Sequence, residues 1–153
     1  MTKTIQPVHA LVDRARARVP ALSPAEARRC LGDPDTVFVD LRDSAEIAAE
    51  GTIPGAIHMP RGNLEFWIDP ASRYFKPIFG SGKSFVFFCA ADLRSTLAAA
   101  TALEMGLEKV SQVEGGFHAW RDAGGPIAAA TRSAADATAA PPRIADDPRG
   151  AER

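Results

Sequence analysis

Three residues of this chain, Cys89, Arg94 and Ser95, have types and a spacing that suit nucleophilic chemistry. Cys89 directly follows an apolar run at residues 84–88 that predicts a buried β-strand, and we expect a helix to begin six residues after the cysteine. The backbone N–H groups of the intervening loop, the positive end of the helix dipole and the Arg94 cation all favour a thiolate or a bound anion. The sequence therefore predicts a nucleophilic cysteine at the carboxyl end of a strand.

The second interpretation of Cys89 is a small apolar residue that completes a buried strand, because free cysteine is among the most buried residue types. Its position before Arg94 and Ser95 favours the chemical interpretation. The other cysteine, Cys30, lies next to Leu31 in a predicted helix, and we interpret it as structural. Two cysteines so far apart form no zinc knuckle, redox pair or disulfide framework, so we expect neither a metal nor another cofactor.

The elements around Cys89 alternate between strand and helix patterns. Two helix starts have capping boxes, one from Ser23 to Glu26 and one from Asp43 or Ser44 with Glu46. Strands are predicted at residues 18–22, 36–41, near 57, at 84–88 and at 110–113. This alternation predicts an α/β fold with a parallel sheet of about five strands, helices on both faces and right-handed crossovers.

The length of 153 residues is that of one domain. Residues 1–19 predict an amphipathic helix packed on the domain, although a basic arm that binds a partner is the other interpretation. Residues 20–127 are the predicted domain, and 128–153 are a predicted disordered tail, because they contain no aromatic residue and one isoleucine. The connection at 61–82 holds five aromatic residues, which either extend the core, cover the Cys89 loop or form a dimer contact. We favour packing in the core.

Charge and composition exclude several classes of protein. The formal net charge is −1 and the isoelectric point is about 6.3, so there is no basic field to bind nucleic acid or an anionic membrane. The first residues lack the apolar run of a signal peptide, and no stretch approaches a membrane span. We expect a cytoplasmic protein with reduced thiols and with no nucleic-acid or membrane partner.

Four stretches together resemble the rhodanese-like domain family in order and spacing, over roughly residues 20–127. They are Val39-Asp40-Leu41-Arg42-Asp43 with Glu46, Gly51-Thr52-Ile53-Pro54-Gly55-Ala56-Ile57, Cys89-x-x-x-x-Arg94-Ser95, and Glu114-Gly115-Gly116-Phe117 with Trp120. The resemblance implies sulfur transfer. In the family the loop thiolate attacks the outer sulfur of a donor such as thiosulfate, sulfite leaves, and the resulting persulfide passes its sulfur to cyanide or a thiol.

The resemblance also implies the roles of individual residues. Cys89 is the nucleophile and Arg94 the cation that binds an anion. The backbone N–H groups that would form a cradle for the persulfide belong to residues 90–95, among them Ala90, Ala91, Asp92, Leu93 and Ser95. Arg42 matches the family's first motif, where it either binds substrate or forms a structural ion pair. We expect Asp40 to order neighbouring loops and His58 to be structural.

The length of the loop separates two related classes of enzyme. Four residues lie between Cys89 and Arg94, whereas phosphatases that resemble rhodaneses have five there, which makes room for a tetrahedral phosphate. A smaller ring fits a single sulfur atom better. The resemblance therefore favours a sulfurtransferase over a phosphatase or an arsenate-reducing enzyme.

Asp92 departs from the family, which commonly has glycine there in a left-handed backbone that aspartate tolerates better than most residues. A carboxylate ~5 Å from the sulfur would oppose the thiolate by roughly 3 kcal/mol at an effective dielectric constant of about 20, and would repel thiosulfate. A side chain that faces solvent or pairs with Arg94 would remove most of this effect. We therefore predict that thiosulfate is a poor donor and that a neutral or protein-bound persulfide is a better one.

Two functions of different classes follow. The first is a single-domain sulfurtransferase of the thiosulfate:cyanide type, which moves a sulfane sulfur from thiosulfate or a persulfide to a thiol or cyanide acceptor through a Cys89 persulfide. The second is a catalytically weak rhodanese-like module for binding or regulation. The intact Cys89 and Arg94 favour the first. The expected partners are a small sulfur-donor anion or persulfide and a free or protein-bound thiol, with the chain a monomer or weak homodimer.

Overall fold

A five-stranded sheet forms the centre of the computed structural model, which describes residues 3–130. Its strands are β1 (Ala21–Leu22), β2 (Thr36–Asp40), β3 (Ile57–His58), β4 (Ser84–Phe88) and β5 (Val110–Val113). They lie in the order β1-β5-β4-β2-β3, and every neighbouring pair is parallel. The predicted parallel sheet of about five strands is confirmed.

Helices connect the strands. They are α1 (Val8–Arg16), α2 (Pro24–Arg29), α3 (Ser44–Glu50), α4 (Leu64–Ile68), α5 (Leu93–Glu104) and α6 (Gly116–Asp122), with 3₁₀ turns at Arg61–Asn63 and Pro77–Gly80. Both predicted capping boxes are present. Ser23 Oγ accepts the Glu26 N–H at 3.1 Å and Asp43 Oδ1 accepts the Glu46 N–H at 2.9 Å, while each glutamate accepts the cap residue's own N–H in return.

Strand β4 runs through the middle of the sheet, and its side chains alternate between two hydrophobic clusters. Phe85 and Phe87 face the cluster that contains the buried alanines of α5, whereas Val86 and Phe88 face the cluster that contains Trp120 of α6. A strand buried on both faces reads as a continuous apolar run, which is why its sequence signal is strong. The next residue, Cys89, is thereby fixed at the carboxyl edge of the sheet.

The aromatic connection at 61–82 contributes to the first of these clusters. Trp67 and Phe79 are buried in it, and the Phe79 ring stacks on Phe85 with centroids 5.0 Å apart. Phe66 alone among the five aromatic residues has a largely exposed side chain. The packing of the other four in or against the core agrees with the favoured interpretation of this segment.

The two ends of the described chain are attached to the domain. Helix α1 packs against α5 and buries Val12 and Ala15. At the other end, Thr52 and Ala128 form an antiparallel bridge with N···O distances of 2.8 and 2.9 Å. The tail predicted from residue 128 thus begins with an attached residue, and 131–153 lie outside the described residues. Within residues 3–130, no helix has the length and apolar character needed to cross a membrane.

Candidate active site

Cys89 lies between the end of β4 and the start of α5, with only 1% of its surface exposed. Helix α5 begins at Leu93, two residues before the predicted start, because Asp92 takes a non-helical conformation (φ −156°, ψ 8°) and acts as the N-cap. Arg94 and Ser95 therefore lie in the first turn of α5 and not before it. The loop that links the sulfur to the positive end of the helix dipole is shorter than expected.

Ser95 provides the closest polar contacts of the Cys89 sulfur. Its backbone N–H donates to Sγ at 3.4 Å, and its hydroxyl oxygen lies 3.5 Å from Sγ. The same hydroxyl donates to Oε1 of Gln112 at 2.8 Å, and Gln112 is buried in β5. An N–H group at a helix N-terminus that points at sulfur favours negative charge there.

Gln112 is a residue that the sequence did not identify. Its only signal was a polar side chain inside a strand predicted to be buried, and polar groups buried in this way need a partner. The structure supplies that partner as the Ser95 hydroxyl. Gln112 thus binds Ser95, and it is Ser95 that contacts the sulfur.

The carbonyl groups of the loop are held by the first turn of α6. The Phe117 N–H donates to the Cys89 carbonyl at 2.7 Å, and the His118 N–H donates to the Ala90 carbonyl at 3.0 Å. These oxygens would repel an anion if they faced the sulfur. Because both carbonyls are bound by α6, they do not face the sulfur, and the backbone donor to the sulfur is the Ser95 N–H.

Gly116 makes this contact between the loop and α6 possible. Its φ is +69°, and a Cβ at this position would lie 1.6 Å from the Ala91 carbonyl oxygen and 2.6 Å from that of Cys89. Only glycine permits both the conformation and the close approach. The side chains of Ala91 and Leu93 are exposed, so the role predicted for these residues would fall to their backbone N–H groups.

Arg94, the predicted anion-binding cation, is paired with Glu46 at the start of α3. Its Nη1 and Nη2 donate to Oε1 and Oε2 at 2.7 and 2.8 Å. The hydrogen bonds from Arg94 lower the pKa of Glu46 to about 2, against the opposing effect of burial, and those to Glu46 raise the pKa of Arg94. Arg94 is 40% exposed, so its charge is balanced but still accessible at the rim of the site.

The Asp92 side chain was expected either to face solvent or to pair with Arg94. It pairs instead with Arg16 of α1. Its Oδ1 accepts from Arg16 Nη2 at 2.7 Å, and its Oδ2 accepts from Arg16 Nη1 at 3.3 Å and from the Gly115 N–H at 3.1 Å. Burial raises the pKa of Asp92, but the hydrogen bonds from Arg16 and Gly115 outweigh it and the pKa is lowered. The expectation of a left-handed backbone at Asp92 is wrong, because its φ is −156°.

Arg42 forms the structural ion pair that was one of its two interpretations. It is completely buried, and its Nε and Nη2 donate to Oδ1 and Oδ2 of Asp40 at 3.1 and 2.9 Å. Nη2 also donates to the Gly51 carbonyl at 2.6 Å, and the guanidinium lies 4.1 Å from the centroid of the Phe117 ring. Nη1 has no hydrogen-bond partner in the described residues, but it is buried like the rest of the guanidinium, which is therefore not open to a donor. We correct its assignment as a substrate-binding residue.

Asp40 orders the loops at the end of β2. Besides the Arg42 side chain, it accepts the Arg42 N–H at 3.0 Å and the Thr52 hydroxyl at 2.8 Å. His58 Nε2 lies 2.6 Å from the Arg42 carbonyl oxygen, so it belongs to the same network. These contacts tie the ends of β2 and β3 to the segments on either side of α3.

A cavity of about 250 Å³ adjoins this network, away from Cys89. Its lining includes Asp40, Thr52, His58 and Ala128, and it contains no residue of the loop between β4 and α5. Within residues 3–130, no cluster of three or more histidine, cysteine or acidic side chains is arranged to hold a metal ion. In the described part of the chain, Cys89 and this cavity therefore lie at different places.

Comparison of the sequence with models of known families identifies the family to which these features point. The sequence model of the family described as "Rhodanese-like domain" matches residues 23–123. The chain belongs to the rhodanese-like domain family. The match begins after α1 and β1, so the helix that carries Arg16 lies outside it.

Some of the relatives are named as sulfurtransferases. The chain is 30% identical over 110 residues to the thiosulfate:glutathione sulfurtransferase of Homo sapiens, which covers 68% of this chain and 95% of the relative. It is 28% identical to the thiosulfate sulfurtransferase/rhodanese-like domain-containing protein 3 of Mus musculus, over 62% of this chain. The chain spans 64% of that mouse protein, and only 39% of a tRNA uridine(34) hydroxylase of Cupriavidus taiwanensis with which it shares 30% identity.

Solved structures share the fold. A protein of unknown function from Rhodopseudomonas palustris CGA009, described as a possible tyrosine phosphatase, is 52% identical with a TM-score of 0.80, covering 84% of this chain and 99% of that one. The polysulfide-sulfur transferase homodimer of Wolinella succinogenes is 30% identical with a TM-score of 0.61, covering 80% of this chain and 88% of that one.

Proposed function

We propose that the chain is a sulfurtransferase that carries a sulfane sulfur on Cys89. The observation that supports this most directly is the position of Cys89 Sγ at the N-terminus of α5, where it accepts the Ser95 N–H at 3.4 Å. The engagement of the loop carbonyls by α6 adds to it, because these acceptors, which would repel an anion, are bound elsewhere. Relatives named as sulfurtransferases support the same reaction class.

The proposed reaction has two steps. In the first, the Cys89 thiolate attacks the outer sulfur of the donor; a new S–S bond forms, the donor's own S–S bond breaks, and its electron pair leaves with sulfite or with a thiolate. In the second, an acceptor thiolate or cyanide attacks the outer sulfur of the Cys89 persulfide. The S–S bond breaks and its electron pair returns to Cys89, which is again a thiolate.

The charges around the loop favour a persulfide over thiosulfate as the donor. Arg94 and Glu46 form one ion pair and Arg16 and Asp92 form the other, so the positive and negative charges are equal in number. A site without excess positive charge gives little advantage to a dianion. Because Cys89 is only 1% exposed, the donor also has to present a slim, sulfur-terminated group.

Intact-mass spectrometry of the reduced protein tests the proposal. The wild-type protein and the variants Cys89→Ser and Cys30→Ser are each exposed to thiosulfate and, in a separate sample, to a low-molecular-weight persulfide. We expect the wild type and Cys30→Ser to gain the mass of one sulfur atom and Cys89→Ser to gain none. Cys30 is the matched control, because it is the second free cysteine, it packs against the cluster that contains Trp120, and its sulfur donates to the carbonyl of Glu26 at 3.6 Å.

The mass shift also separates the remaining functions. No sulfur adduct with either donor would contradict the proposed carrier role and favour a binding or regulatory module. A faster reaction with thiosulfate than with the persulfide would contradict the argument from the balanced charges. If Cys89 does gain a sulfur atom, its transfer to cyanide or to glutathione would identify the class of acceptor.

A phosphatase is the second candidate, because the protein from Rhodopseudomonas palustris that is 52% identical is described as a possible tyrosine phosphatase. Two observations disfavour it here. The loop has only four residues between Cys89 and Arg94, and the Arg94 guanidinium is engaged by Glu46 on two nitrogens. Hydrolysis of para-nitrophenyl phosphate that disappears in Cys89→Ser, in a protein that takes up no sulfur, would support the phosphatase instead.

A further inference from the structure

Helix α1 contacts the catalytic loop although it lies outside the residues that match the family. Its Arg16 donates two hydrogen bonds to the Asp92 carboxylate, at 2.7 and 3.3 Å. Asp92 is itself a departure from the glycine that the resemblance leads us to expect. Two unusual features of the chain, 76 residues apart, thus meet in one ion pair beside Cys89.

We propose that Arg16 is a specificity-determining and positioning residue of the sulfur-transfer site, which fixes the Asp92 carboxylate on the Gly115 N–H and compensates its charge. The inference rests on the proposed function, because the charge matters through the donor that approaches Cys89. It assigns to α1 a role in the site that goes beyond packing on the domain.

The contacts of Asp92 support the positioning role. Its carboxylate is held between Arg16 on α1 and the Gly115 N–H on the turn before α6. Its carbonyl oxygen accepts the Thr96 N–H at 3.0 Å and the Thr96 hydroxyl at 2.5 Å. Asp92 therefore joins three elements at the base of the loop, and Arg16 provides the only charged partner among the recorded contacts of its carboxylate in the described residues.

The exposures of the two side chains support the specificity role. Asp92 is 15% exposed and Arg16 is 42% exposed, so water screens the carboxylate less than it screens the guanidinium. Without Arg16, a poorly hydrated negative charge would remain two residues from Arg94. It would repel a donor in proportion to the donor's own negative charge.

Stability alone does not account for the pair. Exposed ion pairs contribute little to folding, and α1 is already attached to α5 through the buried Val12 and Ala15. Removal of the Arg16 guanidinium is therefore expected to leave the protein folded. Its effect should appear in the choice of donor and in the protection of the Gly115 N–H.

The test compares Arg16→Gln, Asp92→Asn and the double variant with the wild type. Arg14→Gln is the matched control, because Arg14 is an exposed arginine in the same helix. The rate of sulfur uptake is measured with thiosulfate, a dianion, and with the persulfide of N-acetylcysteine methyl ester, which carries at most one negative charge. Amide hydrogen exchange of Gly115 is measured on the same proteins without any donor.

Arg16→Gln is expected to slow uptake from thiosulfate by about five-fold and from the persulfide by about two-fold. Asp92→Asn should accelerate uptake from thiosulfate, and the double variant, with its charge balance restored, should return close to the wild-type donor preference. Gly115 should exchange faster in Arg16→Gln and remain unchanged in Arg14→Gln, because only Arg16 holds the acceptor of its N–H in place.

The two readouts distinguish failure of this inference from failure of the proposed function. A wild-type protein that takes up no sulfur from either donor would overturn the proposed function and the specificity role with it, while Gly115 exchange would still decide the positioning role. If the wild type does take up sulfur, the inference is overturned by an unchanged donor preference in Arg16→Gln. It is equally overturned if the Gly115 amide of Arg16→Gln exchanges at the same rate as that of Arg14→Gln.

Discussion

The carboxyl ends of β2 and β4 are neighbours in the sheet, and each is followed by an arginine paired with a carboxylate. After β2, Arg42 is completely buried against Asp40; after β4, Arg94 is 40% exposed and faces Glu46. Both pairs join an arginine to a carboxylate, but their surroundings differ. Exposure therefore distinguishes the two pairs, because the Arg94 guanidinium is accessible to solvent and the Arg42 guanidinium is not.

The hydrogen bonds of the two strand ends differ in the same way. At the end of β2, Asp40 binds Arg42 and Thr52 together, and within the described residues Nη1 of Arg42 is a buried donor without a hydrogen-bond partner. At the end of β4 the carbonyls of Cys89 and Ala90 are bound by α6, and the Ser95 N–H donates to the sulfur. Arg42 is thus enclosed at the end of β2, beside the cavity lined by Asp40 and Thr52, whereas Arg94 stays accessible at the end of β4.

Replacement of Arg42 by methionine should have the largest effect on stability. It would leave the Asp40 carboxylate buried without its charged partner, at a cost of about 3–5 kcal/mol in the free energy of unfolding. Urea unfolding followed by circular dichroism measures this. Arg94→Met is the matched control at the end of β4, where loss of an exposed pair costs about 1 kcal/mol or less. Equal stability of the two variants would contradict the distinction between the strand ends.

Alanine at Gly116 should have the largest effect on the proposed chemistry. Because a Cβ there meets the Ala91 carbonyl at 1.6 Å, the loop has to move, and a displacement of about 1 Å costs about 100-fold in rate. Initial rates of sulfur uptake by mass spectrometry measure it. Gly55→Ala is the control, since its φ is also positive, at +79°, but no atom lies within 4 Å of its Cβ position. Similar rate losses in both would show that backbone strain, and not the collision with the loop, is responsible.

What the sequence could predict was local. The run of residues 84–88, the capping boxes at Ser23 and Asp43, and the place of Cys89 at a strand end follow from the pattern of near neighbours, and the structure has them. The pairing of Arg94 with Glu46 spans 48 residues, and that of Arg16 with Asp92 spans 76. Such contacts depend on how helices pack in three dimensions, which spacing along the chain does not encode.

The two interpretations of Arg42 illustrate the same limit. The sequence placed it two residues after Asp40 at a strand end, where either a pocket or an ion pair is chemically reasonable. Its burial is decided by Phe117 and Gly51, which come from other parts of the chain. Gln112 was missed for a related reason, since its importance depends on Ser95 in a neighbouring element.

Replacement of Arg94 by methionine should reduce sulfur uptake from thiosulfate while leaving the fold intact. Loss of one charge-assisted hydrogen bond to an anion corresponds to about a ten-fold lower rate. Uptake from the singly charged persulfide should fall less, because its Coulomb attraction to the guanidinium is smaller. The measurement is the ratio of the two rates in the wild type and the variant. An unchanged ratio would mean that Glu46 keeps the Arg94 charge from acting on donors at all.

The smallest expected effect is a pH dependence of stability that comes from Glu46. Its pKa is about 2 in the folded protein and 4.5 ordinarily, so the charged form is favoured by folding. The stabilisation is complete above pH 4.5 and is lost as the pH falls through that value toward 2. Because the pair with Arg94 is partly exposed, we expect it to contribute about 1 kcal/mol. The difference in unfolding free energy between the wild type and Glu46→Gln should therefore shrink below pH 4.5.

A double-mutant cycle identifies the partner responsible for this pH dependence. Glu46 also accepts the Asp43 N–H in its capping box, and that contact survives in part when the residue is glutamine. In an Arg94→Met background, Glu46→Gln should lose most of its pH-dependent effect, because the hydrogen bonds from Arg94 are the largest cause of the lowered pKa. The same pH dependence in that background would assign the effect to the capping box instead. The Arg94–Glu46 pair after β4 would then contribute little to stability, unlike the Arg42–Asp40 pair after β2.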